Sequence, residues 1–300
     1  MRERRASLTA EWVATARSLA RGLPEEARLA DDPFGAAFAG TFTSRLVRAI
    51  TRHPRVSRPF LMAPTPVLSF VAYMQVRTRV LDDALLSFLK NGGTQVVILG
   101  AGFDARAARF ADALQSARVW EIDHPATQAH KRDVLAAAHS REGRVTYVPW
   151  NFETDAMDAM GARLSEEGFD RTRPTLTIWE GVTMYLSEAA IDASVRSVAS
   201  WSAPGSLLAV TYFDRDLMSR PSIMRRALHG VAALVGEPFR FGWSPDALAA
   251  WFAERGFRLQ RDRSIFDHGA ELLPVPYARS LGDRVSRVAI VERIALLEKP

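Results

Sequence analysis

The sequence predicts an α/β protein built on a doubly wound, mostly parallel sheet of about seven strands, and three observations predict it. Short β-branched and aliphatic runs alternate with helix-length amphipathic stretches between residues 95 and 213. The first of these runs, Gln95–Leu99, empties into the glycine turn Gly100-Ala101-Gly102. Residues 1–90, by contrast, carry helical periodicity alone. Strands that read as unbroken apolar runs are those covered on both faces, which is the condition of a parallel sheet.

The elements follow in order. An N-terminal helical cap over residues 1–90 holds amphipathic stretches at Leu8–Arg21, Pro33–Ile50 and Val67–Leu89, the last two separated by Pro54, Pro59, Pro64 and Pro66. After the Asn91-Gly92-Gly93 turn, the sheet domain is expected over residues 91–300. Beyond the first strand come a strand Arg118–Asp123, a helix Pro125–Ala138, a strand Arg144–Pro149 and a helix Asp155–Leu164. A strand Thr175–Glu180, a helix Ser187–Trp201 and a strand Ser206–Phe213 complete the alternation. The segment from about 214 to 243 is punctuated by Pro221, Gly230, Gly236 and Pro238 and reads as an inserted helical lid. Ser244-Pro245-Asp246 opens another helix, with a Ser cap and Pro in the first turn. The runs Arg258–Phe266 and Val285–Leu297 show no helix between them and are expected to pair antiparallel at the sheet edge.

Composition narrows the function classes. With 48% hydrophobic and 24% charged residues in 300, the chain has material for a large core, which excludes disorder, collagen and coiled coil as its main class. It has no cysteine, so disulfides, thiolate nucleophiles and cysteine metal sites are excluded; a reducing cytoplasm is the expected location. No apolar run approaches the ~18 residues that cross a bilayer, and Glu11, Arg17 and Arg21 break up the N-terminal stretch, which reads as an amphipathic helix and not a signal segment. The net charge of +5 comes from arginines spread through every segment, with Lys90, Lys131 and Lys299 the only lysines. Nucleic acid is not an expected partner, because no basic run or basic–aromatic interleaving accompanies that charge.

The candidate site lies beyond the carboxyl ends of the parallel strands. Gly100 and Gly102 allow close backbone approach to a ligand, and the helix that follows is expected to aim its positive end at the same place. A dinucleotide fingerprint wants a third glycine where Ala105 stands, and Asp104 puts a carboxylate where a pyrophosphate would come closest. A ligand without phosphates and with a positive centre suits this turn better. Asp123, 23 residues after Gly100, is placed to grip ribose hydroxyls, with Glu121 as its rival on the same strand face. Asn151 and Glu180, at the ends of the next two strands, extend the same rim.

Three segments carry a family resemblance. Leu99-Gly-Ala-Gly-Phe-Asp-Ala-Arg106, then Glu121-Ile-Asp-His-Pro125 leading to Lys131, then Glu180-Gly-Val-Thr-Met-Tyr-Leu186 resemble the signature segments of the leucine carboxyl methyltransferase family, including its bacterial small-molecule O-methyltransferase branch. The stretch from Ser7 through Asp31-Asp32-Pro33 is similar to the family's N-terminal region. The resemblance implies a seven-stranded sheet ordered 3-2-1-4-5-7-6 and the cofactor S-adenosyl-L-methionine. It implies that Arg77 meets the methionine carboxylate, that Gly100 and Gly102 lie under the methionine and ribose, and that Asp123 holds the ribose. Glu180, with Asp104 nearby, would face the ammonium from the side opposite Arg77. Asn151-Phe152 stands where the family has an acid–leucine pair against adenine, and asparagine keeps the acceptor oxygen but not the charge. Tyr185 matches an active-site tyrosine, with Thr183 as a second catalytic candidate.

Among the six histidines none has a motif-defined place as a general base, and His124 is expected to cap a turn. That favours a carboxylate or another pre-ionised oxygen acceptor, with Arg225 or Arg226 as possible partners for it and His229 within reach. Aromatic and methionine residues of the cap and insertion, among them Tyr73, Phe213, Phe239 and Trp243, point to a small hydrophobic substrate, and no metal is implied. The competing readings are a protein C-terminal carboxyl methyltransferase, an NAD-dependent oxidoreductase and a non-catalytic nucleotide- or RNA-binding protein.

Overall fold

The computed structural model describes residues 8–39, 41–53, 66–141, 143–152, 154–218, 239–288 and 291–300. The strands are β1 (Gln95–Leu99), β2 (Arg118–Asp123), β3 (Arg144–Pro149), β4 (Leu176–Trp179), β5 (Leu207–Phe213), β6 (Arg258–Ser264) and β7 (Glu292–Glu298). They form one sheet in the order β3-β2-β1-β4-β5-β7-β6. β1 pairs in parallel with both β2 and β4, whereas β7 runs antiparallel between β5 and β6. The chain leaves β1 first toward β2 and β3 and later returns to β4 on the other side, so a crevice opens where the two directions part.

Around the sheet lie α1 (Leu8–Leu19), α2 (Gly35–Phe38), α3 (Thr41–Arg52), α4 (Pro66–Lys90), α5 (Arg106–Arg109), α6 (Pro125–Ala137), α7 (Met160–Glu166), α8 (Glu188–Trp201), α9 (Arg215–Met218), α10 (Pro245–Ala253), α11 (Ile265–Leu272) and α12 (Val275–Val288). None of the described helices is long and apolar enough to cross a membrane. The alternation of a strand sorts its residues between two cores. Val96 and Ile98 pack with Leu81 and Leu85 of α4, Ile265 of α11 and Leu281 of α12. Val97 and Leu99 pack on the other face with Trp120, Leu164 of α7, Val195 and Trp201 of α8 and Phe252 of α10. α4 therefore covers one face of the sheet.

Three expectations change. The helix expected over Pro33–Ile50 is two helices, α2 and α3, with Ala39 extended between them. Gly35 explains the tight seat of α2, since a Cβ there would lie 2.2 Å from the carbonyl oxygen of Ala14. After the glycine turn there is only the four-residue α5, so a long helix dipole does not aim at the crevice. The last two strands are separated by α11 and α12, not by a loop. The missed start is the capping box in which the Ser264 hydroxyl accepts from the Asp267 amide and the Asp267 carboxylate accepts from the Ser264 amide. Antiparallel pairing at the edge stands nonetheless. Of the expected lid, residues 219–238, with Arg225, Arg226 and His229, lie outside the described residues; its two ends meet in a bridge between Asp214 and Trp243.

Glu121 is fully buried and pairs with Lys131 of α6 at 2.5 Å, both side chains at 1% exposure or less. Such a pair contributes little net stability, but losing one partner strands the other charge. Glu121→Ala is expected to lower unfolding stability by about 3–5 kcal/mol, and Glu121→Leu with Lys131→Met to recover most of it. Denaturant midpoints at unchanged slope are the measurement.

Candidate functional site

A cavity of about 260 Å³ opens at the carboxyl ends of β1 to β4. Its floor is the turn Gly100-Ala101-Gly102, and its rim runs through Asp123, then Trp150, Asn151 and Phe152, then Glu180, Gly181 and Val182. Ala10, Val13 and Arg17 of α1 cover one side, and Arg77 of α4 closes another. Tyr185, Leu186 and Arg240 line it as well.

The turn is shaped by what glycine permits. Gly100 and Gly102 take φ of 65° and 45°, a left-handed backbone that costs glycine little. A Cβ on Gly100 would come within 2.4 Å of Val182 Cγ2, so the strand-end residues after β4 close directly over the turn. The Gly102 amide donates to Asp123 Oδ2 at 2.5 Å, and the His124 amide donates to Oδ1 at 2.6 Å. Burial raises the carboxyl of Asp123 above its ordinary value, and these two amide bonds offset only part of that. Of the two rival carboxylates, Asp123 lines the cavity, whereas Glu121 does not line it and is paired with Lys131. His124 caps α6, its Nδ1 accepting from the Ala126 amide.

The other charges form one buried network. Arg77 Nε donates to Glu180 Oε1 at 2.8 Å, and Arg106 Nη1 donates to Glu180 Oε2 at 2.6 Å. Arg106 also binds Asp104 and, through Nε at 2.8 Å, Asp82; Asp82 in turn takes Nη2 of Arg109 at 2.5 Å. Arg17 is held by Asp32 at 2.8 Å and donates to the Phe103 carbonyl at 2.6 Å. Burial would raise the Glu180 carboxyl, but Arg106 and then Arg77 hold it far below the usual range. Arg106 likewise holds Asp104 down against its burial.

Arg77 and Glu180 do not face each other across the crevice; they are bonded to one another, because unlike charges this deep in the protein attract strongly unless a ligand separates them. Asp104 is compensated by Arg106, so it does not repel a pyrophosphate as a bare charge would. The obstacle to a phosphate is instead Asp123, whose carboxylate already occupies the Gly102 amide.

Tyr185 lines the cavity, its ring 5.6 Å from Phe239. Thr183 does not line it: the side chain is 1% exposed, and its hydroxyl donates to the Thr211 carbonyl at 2.8 Å. Asn151 and Phe152 sit together on the rim as expected. Sequence reasoning missed the roles of Arg17, Asp82, Glu292 and Arg240. Arg17 had a signal, since it falls on the same helix face as Ala10 and Val13. Glu292 had none, because it reaches Arg77 from a strand 215 residues away.

The comparisons with known proteins come to the same place. A protein of Streptomyces coelicolor, provisionally named an S-adenosyl-L-methionine-dependent methyltransferase, is 41% identical over 152 residues, 50% of this chain and 49% of that one. A Mycobacterium avium protein of the same provisional name is 36% identical over 213 residues, 68% of this chain and 64% of its own. The match thus spans from about half to just under two thirds of the length of these relatives. The crystal structure of a DUF574 family protein from Streptomyces avermitilis shares the fold, with TM-score 0.57, 16% identity and coverage of 95% and 97%. Residues 10–199 match the family described as leucine carboxyl methyltransferase, and this chain belongs to that family.

Proposed function

We propose that the protein is a cytoplasmic S-adenosyl-L-methionine-dependent O-methyltransferase whose acceptor is a small molecule bearing an acidic oxygen. The observation that carries the cofactor is the bond between the Gly102 amide and Asp123. It fills the donor that a phosphate would need and leaves a carboxylate at the place where ribose hydroxyls can donate. The named sequence relatives favour the same cofactor.

S-Adenosyl-L-methionine, when bound, supplies a methyl group activated by a sulfonium. The chain's residues fit such a ligand: Asp123 would accept from the ribose, Glu180 and Arg77 would give up their mutual bond to take the ammonium and the carboxylate, and Asn151 and Phe152 would offer an acceptor and a ring to adenine. Tyr185, Leu186 and Val182 exclude water from the reacting end, where the acceptor oxygen must sit about 3–3.5 Å from the methyl carbon. Thr183 supports this end by tying its turn to β5 and not by contact. The Arg240 amide binds the Met184 carbonyl at 2.7 Å, and its guanidinium has no ion pair among the described residues. It is the cation we assign to an acidic acceptor. His124 is the one histidine among the described lining residues, and its Nδ1 is engaged, which favours an acceptor that needs no base.

Calorimetric titration should show binding of S-adenosylhomocysteine and none of NAD; the reverse result sinks the proposal. Asp123→Ala and Arg77→Ala are each expected to weaken S-adenosylhomocysteine at least tenfold, about 1.4 kcal/mol, in proteins whose melting shows them folded.

Acid should weaken binding through Asp123 and not through Glu180. The ligand's hydroxyls need the ionised carboxylate, and the Asp123 carboxyl is raised while that of Glu180 is lowered. Affinity is therefore full above the Asp123 pKa and lost as pH falls through it, at values above the ordinary 3.8. A titration of affinity against pH should show this limb in the wild type and its absence in Asp123→Asn.

A further inference from the structure

We propose that Glu292, braced by Tyr73, is a positioning residue that fixes the direction of the Arg77 guanidinium beside Glu180 and so holds both groups ready for the two ends of an amino-acid zwitterion. The inference rests on the cofactor reading above, and it concerns a residue outside the 10–199 match to the family. β7 runs antiparallel to β5, so its first residue, Glu292, lies opposite Phe213 at the edge where the parallel strands end. There the side chain is fully buried and meets α4.

Three contacts define the arrangement. Arg77 Nη1 donates to Glu292 Oε2 at 3.1 Å and Oε1 at 3.3 Å. Tyr73, one helical turn before Arg77, donates its hydroxyl to Glu292 Oε2. Arg77 Nε alone goes to Glu180. An arginine beside a single buried carboxylate takes it with two parallel N–H bonds, which is the strongest geometry open to it. Here Arg106 holds the second oxygen of Glu180, so Glu180 takes only the Nε bond of Arg77, while Glu292 anchors Nη1 on the opposite side of the guanidinium and fixes its plane. The divided guanidinium keeps Nη2 without a hydrogen-bond partner among the described residues.

Gly181 completes the opening. It has φ of 68°, and a Cβ there would stand 3.6 Å from both Nη1 and Nη2, so the missing side chain leaves that flank of the guanidinium uncovered on the cavity side. Burial and Glu292 together push the Tyr73 phenol well above its usual range, so it remains a donor at every working pH. Burial alone would lower the Arg77 guanidinium, and Glu292 followed by Glu180 more than reverses that. The charge on the brace is thus constant, and what Glu292 governs is direction.

The test uses the full-length chain and two probes, S-adenosylhomocysteine and 5′-methylthioadenosine, which keeps the nucleoside and lacks the amino-acid end. Glu292→Gln should weaken S-adenosylhomocysteine about tenfold and change 5′-methylthioadenosine by less than twofold. Unchanged or tighter S-adenosylhomocysteine binding overturns the inference, as does equal loss of both probes, which would mark a general loss of structure. If Glu292→Gln does not fold, Tyr73→Phe carries the test, since it removes only the hydroxyl that holds Glu292. A selective loss of S-adenosylhomocysteine of about threefold then supports the inference, and no loss overturns it. A wild-type protein that binds neither probe overturns the cofactor reading itself, an outcome distinct from all of these.

Discussion

The constraint on which the site depends is a buried carboxylate shared between two arginines. Glu180 stands at the end of β4 with one oxygen on Arg77 and the other on Arg106. An unpaired carboxylate at that depth would take up a proton rather than stay charged, so Glu180 is ionised only because α4 and α5 bring guanidinium groups to it. Each arginine is in turn shared, Arg106 with Asp104 and Asp82 and Arg77 with Glu292. The elements that meet at the cavity are therefore coupled by charge as well as by packing, and a change in one carboxylate is felt across the cap, the glycine turn and the last strand.

Such a network is costly to assemble and contributes little to net stability against a well-packed apolar alternative. Its value lies in specificity. A zwitterionic ligand can exchange its own charges for those already paired, which keeps the count of satisfied groups constant as it enters. A neutral ligand of the same shape offers no such exchange.

Much of this was legible in the residues. β2 and β3 run between the residues their apolar runs predict, and β1 ends where its glycine turn begins, because burial on both faces leaves a continuous signal. Asp123, Asn151 and Glu180 were legible as well, since a strand end is a fixed address in a parallel sheet, and Phe152 came with the family resemblance. What was not legible depended on contacts between distant segments. The pairing of Arg77 with Glu180 crosses 103 residues, and Glu292 carries no local pattern that separates it from a surface glutamate. α11 was missed for a different reason: the Ser264-x-x-Asp267 box follows a run of residues with strand character, and the β signal of that run extended past its true end. Thr183 shows the limit of a motif, which fixes proximity in sequence but not the direction in which a hydroxyl points.

The stacking of Phe38 on Phe103 has a consequence for how this fold can diversify. The rings are stacked 4.6 Å apart and nearly parallel, at 5°, and the carbonyl of the same Phe103 accepts from Arg17. The first helices of the chain thereby form one wall of the loop between the opening strand and α5. They are no detachable module: a lineage that rewrote this N-terminal segment would have to preserve those two anchor points, or lose the wall of the cleft beside the glycine turn.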